Sequence, residues 1–187
     1  MCSSDLQLSG PGTSTFGNSS LVDTIVSFST TGLYGLRLTA TDGEVITYDD
    51  TTVNWSAPPP IESWRTGTFG GNAGNPAVAG NLADPELDGT TNLVEYALAL
   101  NPLAPSPHQL PTAVMDDRTI ELTWRRNKAA TDITIQVQTS PDAGDWTTVT
   151  PTNTIVSDEG QVQVIRSSVP RTGDRQFIRL LVLPPVP

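Results

Sequence analysis

The chain has 187 residues, with 20 acidic against 10 basic side chains and a formal net charge of −10. No segment is basic: residues 1–57 carry −5, residues 58–111 carry −4 and residues 112–187 carry −1, so the cationic footprint that nucleic acid requires is missing. The single cysteine, Cys2, excludes an internal disulfide and a cysteine-based zinc site, and no apolar run approaches the length that spans a bilayer. With 15 Gly and 16 Pro, long helices are interrupted, and the Thr, Ser and Val content favours strands.

The opening Met1-Cys2-Ser3-Ser4-Asp5-Leu6 reads as translated sequencing adapter, so residues 1–6 are expected to be an artefact outside the fold. From residue 7 to 57 the pattern is of strands. Thr24 to Phe28 alternates, and Tyr34, Leu36, Leu38 and Ala40 line one face of the next strand. Asp42-Gly43 predicts a two-residue hairpin turn, followed by a return strand through Val45, Ile46, Tyr48, Val53 and Trp55.

Leu8-Ser9-Gly10-Pro11-Gly12, Val26-Ser27-Phe28, Gly32 to Glu44 and Asp50 to Val53 together resemble the second half of a PKD domain. That family has an immunoglobulin-like sandwich, and the resemblance implies a tyrosine corner at Tyr34. The first strands of such a domain are absent, so a partial sandwich with uncovered apolar surface is expected.

Residues 58–111 read as a linker carrying a calcium-type loop and one short helix. Ala57 to Pro60 is stiff and extended, Ile61 to Arg65 is a candidate helical turn, and Gly70 to Gly80 is loop. The informative segment is Asp84-Pro85-Glu86-Leu87-Asp88-Gly89-Thr90-Thr91-Asn92-Leu93-Val94-Glu95. Oxygen donors stand at positions 1, 3, 5, 7, 9 and 12 (Asp84, Glu86, Asp88, Thr90 through its carbonyl, Asn92 and Glu95), with Gly89 at position 6. Ca²⁺ takes six to eight hard oxygens, and alternate residues of a tight loop can turn them inward together. The other reading is an acidic helix cap without metal, with Asn92 capping a helix whose Leu93, Tyr96, Ala97 and Leu100 form an apolar stripe. That stripe is expected to dock on a neighbouring β domain, so that Ca²⁺ fixes the angle between modules. Glu86 is longer than the usual residue at position 3, and Leu87 stands where positive φ is expected. With no helix before it, the loop resembles the half-hands of thrombospondin type 3 repeats and dockerins.

Asn101-Pro102 ends the helix, and a proline-rich second linker runs to Pro111; its His108 is the only histidine and is expected to be solvated. Residues 112–187 predict a second small antiparallel β-sandwich of five or six strands, with Ile120, Leu122 and Trp124 on one face and Ile133, Ile135 and Val137 on another. Ser140 to Asp145 is a turn into Trp146, the best-placed aromatic for stacking on a sugar ring.

Trp64, Phe69-Gly70, the loop with Asn92 to Leu98, Leu122 to Arg126, Asp145-Trp146-Thr147 and Phe177 to Leu180 resemble a C-terminal region of large secreted bacterial proteins. The resemblance implies a non-catalytic tail, secreted or at the cell surface, whose partners are the neighbouring β domains of the same chain. A basic-then-apolar leader is not visible at Met1, which on this reading implies a missing upstream portion. The expected function is a calcium-rigidified structural or adhesive spacer. Alternatives are a carbohydrate-binding accessory module, with extracellular polysaccharide held by Trp146, and an export or surface-attachment tail.

Overall fold

The computed structural model describes residues 2–21 and 23–185, with side chains from residue 5 onward. The protein is mainly β, with several antiparallel sheets and a few short helices. It divides into two compact units, Met1–Pro58 and Pro59–Pro187.

In the first unit, β1 (Cys2–Ser9), β4 (Gly32–Thr41) and β5 (Ile46–Trp55) form a sheet in the order β1-β4-β5, and β2 (Ser14–Phe16) pairs with β3 (Val26–Phe28). Residues 2–6 therefore enter the sheet: Asp5 lies opposite Leu38 and Leu6 opposite Arg37. Tyr34 and Leu36 are buried, and the Phe28 ring packs 4.4 Å from Tyr34 and 5.7 Å from Trp55. The Tyr34 hydroxyl donates to the Thr30 carbonyl at 2.7 Å, four residues upstream. Gly10 lets the ring lie on bare backbone, since a Cβ there would stand 2.3 Å from Tyr34 Cδ1. Cover stops short of Leu38, which shares the face of Tyr34 and Leu36 yet is 46% exposed. The β4–β5 turn is longer than two residues, spanning 42–45, because the Asp42 carboxylate accepts from the amides of Glu44 and Val45 and closes a wider loop.

The second unit contains everything from α1 (Pro60–Phe69) onward: α2 (Pro76–Ala79), α3 (Asn92–Leu98) and seven strands, one or two more than expected. These are β6 (Thr112–Met115), β7 (Thr119–Asn127), β8 (Thr134–Ser140), β9 (Thr147–Val149), β10 (Thr152–Glu159), β11 (Val162–Pro170) and β12 (Phe177–Leu183). They form a sheet β10-β11-β7-β6 and a sheet β12-β8-β9. Alternation on β7 buries Ile120, Leu122 and Trp124, and β11 adds Ile165 and Val169 to the same interior. Val162 and Val164 share a face, but it is the opposite one to Ile165. The indole nitrogen of Trp124 donates to Ser167 Oγ at 2.9 Å, which donates in turn to Asn153 Oδ1 at 2.7 Å, so the interior polar groups are paired.

The stretch expected to be a linker is folded onto this sandwich. Leu98 and Leu100 pack with Leu122, Trp124 and Ile165, while Ile61, Leu93, Tyr96 and Ala130 form an adjoining cluster with Trp64 beside it. The α3 stripe thus docks on the strands of residues 112–187, within the same compact unit. Gly70 to Gly80 is a 3-10 turn and α2 rather than open loop, and His108 lies exposed in a second 3-10 turn, Pro107–Gln109. Asp132 joins the helices to the strands: its carboxylate accepts from the Ile61 amide at 2.9 Å and from the Tyr96 hydroxyl at 2.8 Å. It caps α1 from 71 residues away, where Pro59 offers no capping side chain.

Candidate metal centre

Exposure alternates along the loop before α3. Asp84, Glu86, Asp88 and Thr90 turn inward while Pro85, Leu87 and Gly89 face solvent. Two left-handed residues create the alternation, Leu87 at φ 60° and Gly89 at φ 88°. The Asp84 carboxylate stabilises the bend by accepting from the amides of Asp88 at 3.1 Å and Gly89 at 2.9 Å. One oxygen from each of Asp84, Glu86 and Asp88 lies within 4.8 Å of the others.

Helix α3 supplies the remaining side chains. Glu95 is fully buried and Asn92 is 1% exposed. Asn92 does not cap the helix; Thr91 is the N-cap residue, with no side-chain bond. The Asn92 amide nitrogen instead donates to the carbonyls of Val78 at 2.8 Å and Gly80 at 3.0 Å, which fixes the orientation of Oδ1. Both Glu86 carboxyl oxygens, both Glu95 carboxyl oxygens and Asn92 Oδ1 are buried without a hydrogen-bond partner. Five orphaned acceptors on three neighbouring residues are costly, because each gives up water and receives no donor in return.

The electrostatics agree with the geometry. Burial, followed by the adjacent Glu86, Asp88 and Asp84 carboxyls, pushes Glu95 up to about 8. The amides of Ser106 and Thr90 hold the Asp88 carboxyl below its ordinary value. Ser106 donates its amide to Asp88 Oδ2 at 2.9 Å and so ties the loop after α3 to the loop before it.

The side-chain donor set is all oxygen: carboxylates and one amide carbonyl. It suits a hard divalent cation of Ca²⁺ type and offers nothing to a thiophilic metal. Asp84, Glu86 and Asp88 are brought together, with Asn92 and Glu95 buried beside them on α3. Sequence reading missed the supports, namely Ser106, Val78, Gly80 and Asp132. Their contacts span between 12 and 71 residues and leave no local signature.

Trp146 lies apart from this centre. It is partly buried, its indole nitrogen donates to the Ala143 carbonyl at 3.1 Å, and the Arg179 guanidinium lies 4.0 Å over its ring. Arg179 is itself anchored on Gln138 Oε1 at 2.8 and 2.9 Å, so one face of the indole is already covered. Among the described residues no helix is long and apolar enough to cross a membrane. No protein-family model matches the chain, and no curated protein is significantly similar to it.

Proposed function

We propose that the protein is a non-catalytic β module in which one Ca²⁺ ion, held by Asp84, Glu86, Asp88, the Thr90 carbonyl, Asn92 and Glu95, completes the fold of the second unit. The observation that carries this reading is the set of five buried, unpartnered oxygens on Glu86, Asn92 and Glu95. A cation supplies the positive charge those oxygens lack. Two donors lie on α3, whose other faces pack on the sandwich, so the ion would anchor that helix to the preceding loop rather than bridge two domains. Seven residues are too few for a helix to persist alone, which makes such an anchor consequential.

A module of this kind serves as a structural or adhesive spacer in a larger secreted or surface-exposed protein. Extracellular modules commonly hold calcium at dissociation constants of roughly 10⁻⁴–10⁻³ M, where the ion is abundant. The alternative of polysaccharide binding through Trp146 draws less support, since Arg179 occupies one face of that ring. Thermal melting in calcium and in chelator tests the proposal: calcium raises the transition of the second unit, and superimposable curves at millimolar calcium would overturn it.

A further inference from the structure

The sandwich of the second unit is open along one side. Strand β9 pairs with β8 only over residues 137–139, leaving the Thr134–Gln136 half of β8 without a neighbour there. Across the gap, Ile155 on β10 lies opposite Ile165 in the ladder yet is 57% exposed. Between the sheets lies a cleft of about 350 Å³, within the size range of small-molecule sites. Its walls include Trp124, Ile133, Ile135 and Val149, with Arg126 and Gln136 also among the lining residues.

Among the polar lining residues, Trp124 and Thr148 already donate to Ser167 and Gln136, while Arg126 has no acceptor. Arg126 is exposed, and its side chain has no ion pair or hydrogen bond among the described residues. Asn153 accepts from Ser167 through its oxygen, which leaves its amide nitrogen available, whereas the Gln136 side chain turns to the other face of β8, where it accepts from Thr148. No carboxylate lines the cleft, although acids outnumber bases two to one in the chain. Aromatic and aliphatic side chains in a mixed lining, with an exposed cation and one amide donor beside them, fit a ligand with an apolar body and an anionic head.

We propose that this cleft binds a medium-chain alkanoate, its alkyl chain between the two sheets and its carboxylate on Arg126. The proposal is independent of the calcium reading.

The test is titration of the ¹⁵N-labelled full chain with octanoate, n-octylamine and octyl glucoside below their micellar concentrations, in wild type, Arg126→Glu and Val149→Phe. Octanoate is expected to shift the amides of Ile133, Ile135 and Val149, and to bind about tenfold more tightly than the amine, the factor that one charge-assisted contact provides. Arg126→Glu, at an exposed position, should reverse that order. Val149→Phe, which fills the cleft from its edge, should abolish the shifts while the rest of the spectrum stays in place. Equal affinity for all three amphiphiles, indifference to Arg126→Glu, or shifts scattered outside the cleft would each overturn the proposal.

Discussion

Glu86 and Glu95, at positions 3 and 12 of the loop, bury adjacent carboxyl groups that receive no hydrogen bond from the rest of the protein. Two such groups repel when ionised and attract a common cation, so one pair of residues destabilises the metal-free fold and stabilises the loaded one.

Glu95→Gln separates the two effects. Near neutral pH the metal-free fold must hold Glu95 protonated, a cost that glutamine does not have, so in chelator the variant is expected to melt above the wild type. In calcium the order inverts, because the variant loses stabilisation that for wild type reaches about 2.7 kcal/mol at a free ion concentration one hundredfold above Kd. Paired thermal melts check both arms, and a variant that melts below wild type in chelator contradicts the electrostatic account.

The same carboxyl sets the pH dependence of the metal-free protein. Glu95 titrates near 8 when folded and near 4.5 in its ordinary state, so the folded chain holds the extra proton between those values. Stability in chelator is therefore greatest below about 4.5 as far as Glu95 is concerned. It is lost as pH rises through about 8, by at most about 1.4 kcal/mol per pH unit. Urea unfolding at pH 6 and pH 8 measures the slope, and saturating calcium should flatten it.

Leu87 occupies left-handed backbone at φ 60° while its side chain is 85% exposed. It suffers the steric penalty of a Cβ in that region with little packing in return. Asparagine tolerates the conformation, so Leu87→Asn is expected to raise stability by about 0.5–1 kcal/mol with calcium stoichiometry unchanged. Denaturant midpoints at constant slope read this directly.

Asp132 couples α1 to α3 through the Ile61 amide and the Tyr96 hydroxyl. Asp132→Ala leaves both donors unpaired and should cost about 1–3 kcal/mol. Tyr96→Phe removes one of them, so the double variant should lose less than the two single losses combined. Strict additivity in that cycle would show that the two residues act separately.

Much of this architecture was legible in the chain. Period-two alternation on β7 placed Ile120, Leu122 and Trp124 together, and the twelve-residue spacing from Asp84 to Glu95 drew attention to the loop where the orphaned oxygens lie. Composition misled about the linkers. Ala57 to Pro60 read as extended linker and Gly70 to Gly80 as loop, yet Pro60 and Pro76 stand at the starts of α1 and α2, where a missing amide hydrogen is harmless. The α3 stripe was visible, but a stripe specifies burial and not the surface that buries it. Asn92 was read as a cap because it opens a helix; its amide reaches Val78 and Gly80 instead, carbonyls no local pattern points to.

Equilibrium dialysis of the 187-residue chain against calcium, in wild type and Glu95→Gln, tests the central claim most directly. One ion retained per wild-type chain, and none by the variant at the same free concentration, is the predicted result. No retention by wild type at millimolar calcium, or equal retention by both proteins, would contradict a metal centre built on Glu86, Asn92 and Glu95.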